Sequence, residues 1–244
     1  MTIKLNCDLG ESFGAWRMGL DSAVMPHIDQ ANVACGFHAG DPQVMRSTLA
    51  LARDHQVTVG AHPAYPDLVG FGRRSLNCQS DEIVALMHYQ VAALDGMARV
   101  QGMAVSYVKP HGALYNDMMV NAEVRRAVMQ SLAEYPAQVA LMLQATPSFE
   151  QHREEAKAWG VELMFEAFAD RCYDDDGRLL SRARAGAVLN RESMLQQVEQ
   201  LHSTGTITTI SGHRLELEVD TLCVHGDNEE GIRAIREIRE VLQG

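Results

Sequence analysis

Several local signatures are missing from this chain, and each absence removes a class of function. Its five cysteines (Cys7, Cys35, Cys78, Cys172 and Cys223) form no Cys-x-x-Cys pair, and no His-x-x-x-His occurs. No metal site is therefore written in local ligand spacing. Gly-x-x-x-x-Gly-Lys-[Ser/Thr] is also absent, which argues against a self-contained P-loop nucleotidase. No apolar run approaches a membrane span, and Met1–Asn6 lacks the apolar core of a signal peptide. An odd cysteine count without a secretion signal predicts reduced thiols and a cytoplasmic location. Positive charge is scarce: Lys and Arg total 21 against 32 Asp and Glu, a formal net charge of −11. A nucleic-acid backbone would be repelled, although a local basic patch can still hold a small anion. Neither nucleic acid nor membrane is an expected partner.

What remains is a repeating pattern of strand, loop and helix, with no low-complexity stretch and no long linker. The 244 residues are enough for one large α/β domain with a full core. Apolar runs predict strands at Ile3–Leu5, Asn32–Ala34, Val57–Val59, Tyr107-Val108, Val139–Leu143, Glu162–Phe165 and Asp220–Val224. Asp41-Pro42 predicts a capped helix start, followed by Val44, Met45, Thr48, Leu49 and Ala52 at helical spacing. Ser80-Asp81-Glu82 opens a longer helix with Ile83, Leu86, Met87, Gln90, Val91 and Leu94 on one side. Asn121, Thr146, Asn190 and Asn228 read as further N-caps. Thr206–Ile210 and Leu215–Val219 alternate around Ser211-Gly212 as a β-hairpin across a two-residue turn, either an appendage or a barrel edge. Repeated βα units in residues 1–244 predict a single (β/α) barrel, with a doubly wound sheet as the alternative.

Five strands run directly into chemistry-bearing residues. Asn6-Cys7-Asp8-Leu9-Gly10-Glu11 follows the first. Cys35-Gly36-Phe37-His38, Gly60-Ala61-His62-Pro63, Lys109-Pro110-His111-Gly112 and His225-Gly226-Asp227 follow four others. In parallel barrels the site forms at the carboxyl ends of the strands, which favours the barrel over an open sheet. Asp8 is a candidate base, metal ligand or hydroxyl holder, or else a simple N-cap. His38, His62, His111 and His225 suit proton transfer near neutral pH. A distributed Asp/His/His metal site is an open alternative.

Lys109, at the end of a buried strand, is expected to face a ligand oxyanion or to pair with Asp8 or Glu166. The loop Tyr65–Arg74 offers glycines and Arg73 for anion capture, with Arg74 on a solvated face as the plainer reading. Glu166, Asp170 and Arg171 are placed to reach the same pocket. Asp174-Asp175-Asp176-Gly177 reads as a solvated turn, since it lacks an EF-hand continuation. Arg178, Arg182 and Arg184 are candidates for a mobile flap. Cys7, Cys35 and Cys223 read as small buried hydrophobes.

Taken together, Asn6–Gly14, Asn32–Asp41, Gly60–Pro63, Lys109–Asn116, Glu166–Arg171 and Val224–Asp227 resemble the LamB/YcsF family, in order and across essentially the whole chain. The resemblance implies a seven-stranded TIM-like barrel, similar to the glycoside hydrolase/deacetylase superfamily. It also implies the A subunit of ATP-dependent 5-oxoprolinase. That enzyme opens 5-oxo-L-proline to L-glutamate with ATP and Mg2+, and its A subunit works alongside B and C subunits.

Under that reading the expected catalytic set is Asp8, His62, Lys109, His111 and His225. Asp8 or His62 would serve as base, His111 or His225 as acid, and Lys109 with Arg73 would hold oxyanion or phosphoryl charge. Asn6, Glu11, His38, Arg73, Glu166, Asp170, Arg171 and Asp227 would bind substrate or phosphate, and no resident metal is expected. Two rivals stand beside it. One is a metal-dependent amide hydrolase or deacetylase using Asp8, His38 and His62. The other is a non-catalytic protein that binds substrate for its partner chains.

Overall fold

A computed structural model describes residues 3–181, 184–225 and 229–243. Seven parallel strands close a barrel in the order β1 (Lys4–Leu9), β2 (Gln30–Ala34), β3 (Thr58–His62), β4 (Val105–Val108), β5 (Ala140–Gln144), β6 (Leu163–Phe168) and β9 (Thr221–Cys223). The last strand closes the ring by pairing with β6 (Glu166↔Thr221) and with β1 (Asn6↔Cys223). Outside pack α1 (Asp21–Val24), α2 (Pro42–Asp54), α3 (Ser80–Val100), α4 (Gly112–Val120), α5 (Ala122–Glu134), α6 (Phe149–Lys157), α7 (Arg191–Thr204) and α8 (Glu229–Gln243).

Side chains alternate along each strand, so apolar residues reach the helices while polar ones turn to the barrel axis. Leu5, Cys7 and Leu9 of β1 join the core, whereas Asn6 and Asp8 meet Thr221, Asn32 and Lys109 inside the barrel. Gly60 is obligatory beside Tyr107: a Cβ there would lie 2.1 Å from Tyr107 Cε2.

Local helix signals hold where they rest on caps. Asp41 Oδ1 accepts from Gln43 N and Val44 N, Asn121 Oδ1 from Glu123 N, and Asn190 Oδ1 from Ser193 N. Thr146 is a correction. Helix α6 begins at Phe149, and Thr146 Oγ1 accepts from Ser148 N in a turn ahead of it, the local bond that Ser and Thr offer outside helices. Asn228 lies outside the described residues.

The hairpin forms as β7 (Thr206–Thr208) against β8 (Arg214–Glu216), separate from the barrel. Its connection is longer than the expected two residues: Thr209 N donates to His213 O, and Gly212 at φ +87° turns the chain between them. Strands β1 and β6 run further than their apolar stretches, to Leu9 and Phe168. Asp8 and Glu166 are thus strand residues rather than loop residues, and Asp8 caps no helix. Their polarity hid them because the barrel interior at this end is itself polar.

Candidate active site

Lys109 follows β4 and points into the barrel mouth, 3 % exposed. Its Nζ lies 2.9 Å from Asp8 Oδ1 and 2.7 Å from Glu166 Oε1. Both pairings left open by the sequence therefore occur together. Burial alone would lower the ammonium's pKa, but Asp8, Cys223 and Glu166 outweigh it and hold Lys109 well above the ordinary lysine range. Burial alone would likewise raise Asp8, yet its contacts with His62 and Lys109 hold that carboxyl well below its ordinary value. Tyr115 O–H donates to Glu166 Oε2 at 2.9 Å, filling the other side of that fully buried carboxylate.

Beneath this ion group runs an amide network. Asn32 Nδ2 donates to Asn6 Oδ1 and to Asp8 Oδ1, each at 2.8 Å, and Tyr107 O–H donates to Asn32 Oδ1 at 2.6 Å. Asn6 Nδ2 donates to Thr221 Oγ1. Asn6, expected to touch substrate, is fully buried, and it shares the Asn32 amide with Asp8.

The second half of the site is a histidine cluster. His38 and His111 stack at 3.7 Å between ring centroids, and His62 meets both edge-on. Their packing depends on Gly72 at φ +63°, where a Cβ would lie 2.9 Å from both His111 Cδ2 and His38 Cβ. His62 Nδ1 bonds Lys109 O at 2.7 Å, and His111 Nε2 bonds Phe71 O at 2.9 Å. Burial, reinforced by the neighbouring histidines, pushes the pKa of His38 and of His111 well below the ordinary imidazole value. Glu11 stands at the edge, with Oε1 3.4 Å from His38 Nε2 and 3.5 Å from His111 Nδ1.

Above lies a pocket of about 610 Å³ whose walls include Asp8, His62, Lys109, His111, Arg73 and His225. Arg171 and Arg178 also reach it, together with Phe168 and Leu179–Ser181. Arg73 stands exposed at the rim with its guanidinium 5.0 Å from the centroid of the Phe71 ring. Arg171 is buried and donates to Ala187 O and Leu180 O, so it organises the wall. His225 Nδ1 lies 3.1 Å from Asp170 Oδ2.

Glu11, His38, Glu166 and Asp170 stand behind this lining rather than in it. Arg74 is exposed, in keeping with a solvated face, and its Nε lies 2.9 Å from Asp67 Oδ2, so its guanidinium is already paired with a carboxylate. Asp227 and Arg182 lie outside the described residues. Arg178 belongs to the pocket wall, whereas the exposed Arg184 has no place among its lining residues.

Sequence reasoning missed Asn32, Tyr115 and Cys223 as members of the site. Asn32 carried a signal, a polar side chain inside an otherwise apolar strand. Cys223 Sγ lies 3.4 Å from Lys109 Nζ, a contact made only by closure of the barrel. Among the described residues, two clusters could supply cation ligands: Glu11, His38, His62 and His111, and separately Asp8, Cys223 and His225, each with ligand atoms within 4.8 Å of one another.

Fold and site together define a seven-stranded (β/α)-barrel protein of the kind whose chemistry is assembled from strand carboxyl ends. The chain belongs to the LamB/YcsF family, whose model matches residues 3–244. It is 54 % identical over 243 residues to a Pseudomonas putida protein named as a 5-oxoprolinase A subunit, covering 99 % of this chain and 94 % of that one. A Vibrio parahaemolyticus protein, also named as the 5-oxoprolinase A subunit, is 54 % identical over 241 residues, covering 98 % and 95 %. The crystal structure of a lactam utilization protein from Thermus thermophilus superposes with a TM-score of 0.91 at 34 % identity, covering 100 % of this chain and 96 % of that one. No helix among the described residues is long and apolar enough to cross a membrane.

Proposed function

We propose that this chain is the A subunit of an ATP-dependent 5-oxoprolinase, acting on the ring amide of 5-oxo-L-proline beside B and C subunits in the cytoplasm. One observation carries the reading: a buried lysine ammonium, fixed between two carboxylates, forms the floor of a pocket rimmed by arginine. A five-membered lactam is an unreactive amide, so its opening needs charge stabilisation on oxygen and a proton for nitrogen. Lys109 faces the pocket as the resident positive charge, with Asp8 and Glu166 fixing its position. Arg73 and Arg178 are placed at the lining to hold phosphoryl oxygens. These residues fit a phosphoryl group rather than a whole nucleotide, since no glycine-rich phosphate loop accompanies them. Bound Mg-ATP supplies the phosphoryl group that makes the lactam oxygen a better leaving group.

Of the candidate acids, His225 is favoured. It lines the pocket, and its Nδ1 lies 3.1 Å from Asp170 Oδ2, close enough for that carboxylate to stabilise the charged imidazole. His62 and His111 each have one nitrogen bound to a backbone carbonyl.

The test is reconstitution. The chain, with and without purified B and C subunits, is mixed with 5-oxo-L-proline and Mg-ATP, and glutamate and ADP are followed together. Equal amounts of both products from the three-part mixture, and little from the chain alone, are expected. Glutamate formed without ATP would overturn the reading in favour of a simple amide hydrolase.

A further inference from the structure

His62 and His111 face each other in a way that their own hydrogen bonds oppose while both rings are neutral. A carbonyl oxygen can only accept, so the bond to Lys109 O places the His62 proton on Nδ1, and the bond to Phe71 O places the His111 proton on Nε2. In the neutral rings, His62 Nε2 and His111 Nδ1 are therefore bare lone pairs. Yet they lie 3.0 Å apart. Two lone pairs at that distance repel unless a positive centre sits against both.

The surroundings point to what that centre is. His38 is 1 % exposed, and neither of its ring nitrogens has a hydrogen-bond partner among the described residues. A buried imidazole in that condition is costly unless another acceptor of its lone pair exists. Glu11 Oε1 lies 3.4 Å from His38 Nε2 and 3.5 Å from His111 Nδ1. A tetrahedral ion with metal–ligand bonds near 2.0–2.1 Å has ligand-to-ligand edges of roughly 3.3 Å. Three of the six edges, at 3.0, 3.4 and 3.5 Å, lie close to that value, and all four ligand atoms lie within 4.8 Å of one another. Metal-bound histidines characteristically donate their other ring N–H to a backbone carbonyl or carboxylate, as His62 and His111 do here.

We propose that Glu11, His38, His62 and His111 form a binding site for one divalent transition-metal ion of the zinc type, the His38 and His111 rings turning out of their 3.7 Å stack to aim both lone pairs at it. Three imidazoles and one carboxylate suit zinc or cobalt and not the oxygen-loving magnesium that travels with ATP. The inference stands on these four side chains and not on the substrate. It departs from the expectation of no resident metal because the ligands come from the ends of four separate segments, so no local spacing announces them. The site shares His62 and His111 with the pocket wall. That puts the ion at the edge of the pocket beside Asp8, whose Oδ2 lies 3.4 Å from His62 Nε2.

The experiment uses the full chain, stripped with chelator and titrated with Co2+ while visible absorption and bound metal are measured. One equivalent of cobalt with intense, tetrahedral-type bands is expected, displaced by Zn2+. Glu11→Gln, His38→Gln and His111→Gln should each weaken binding by roughly tenfold or more, with melting followed in parallel. Should the histidine variants fail to fold, Glu11→Gln, at a half-buried position, decides. Cys223→Ala, which disables the alternative Asp8–Cys223–His225 cluster, should leave binding unchanged. Absence of the bands at large cobalt excess would overturn the proposal, leaving a shared proton between His62 and His111. So would unchanged affinity in Glu11→Gln, or loss of binding in Cys223→Ala.

Discussion

Lys109 sits where a lysine is tolerated only in company. Its ammonium is buried, and so is the Glu166 carboxylate it touches at 2.7 Å. Removing one member of such a pair leaves an uncompensated buried charge, typically costing about 3–5 kcal/mol. Substitution at this strand tip is therefore expected to cost stability as well as activity. Lys109→Met should lower unfolding free energy by about that amount, read by urea titration. Adding Glu166→Gln should recover most of the stability but none of the turnover of the reconstituted enzyme, because the charge proposed to hold the oxyanion is still gone. A Lys109→Met protein as stable as the unsubstituted chain would show the ion group to be unimportant to folding. The pairing of Lys109 with Asp8 or Glu166 was readable in the sequence because a lysine after an apolar strand demands a partner. That both partners act at once was not readable, since it depends on how far β1 and β6 extend.

The loop between β3 and α3 is held by one carboxylate. Asp67 Oδ1 accepts from Gly70 N, and Oδ2 accepts from Arg74 Nε, both at 2.9 Å. Gly72 N donates to Asp67 O, which fixes the turn on which His38 and His111 pack. The Arg74 guanidinium bonds and the Gly70 amide outweigh burial and bring the Asp67 carboxyl down to about 2, from an ordinary 3.8. A depressed carboxyl contributes stability above its unfolded value and loses it as pH falls through the folded one. Asp67→Asn should therefore melt below the unsubstituted protein by a constant margin near neutrality. That margin should shrink as pH falls from about 4 toward 2. Thermal melts across that range check it, and a margin that stays constant at pH 3 would refute it. Elements of this kind divide cleanly by range. Caps at Asp41, Asn121 and Asn190 were legible because donor and acceptor lie within three residues. Thr146 misled because the same local chemistry also closes turns.

At the scale of the molecule, barrel closure decides who meets whom. Asn6 and Thr221, 215 residues apart, bond inside the ring, and Cys223 reaches Lys109 by the same closure. Nothing local could announce those contacts, whereas the repeating βα pattern was enough to announce the barrel. The hairpin β7–β8, although outside the barrel, is tied to the site. Asp175 accepts from Thr209 and Ser211, and Ile210 N donates to Tyr173 O. Gln144, at the end of β5, donates to Gly177 O at 2.7 Å. The chain between these anchors continues directly into Arg178, Leu179, Leu180 and Ser181, one wall of the pocket. The hairpin thus braces this wall together with the end of β5. Asp175→Ala removes the brace at a half-exposed side chain whose loss uncovers no core, so melting should shift little. Wall residues that hold substrate in place act on binding more than on the bond-breaking step. In the reconstituted enzyme the substitution should raise KM for 5-oxo-L-proline several-fold, roughly 1 kcal/mol of binding, with kcat nearly constant. A fall in kcat at unchanged KM would instead place the hairpin's influence on the reacting groups, and no change in either would detach it from the site.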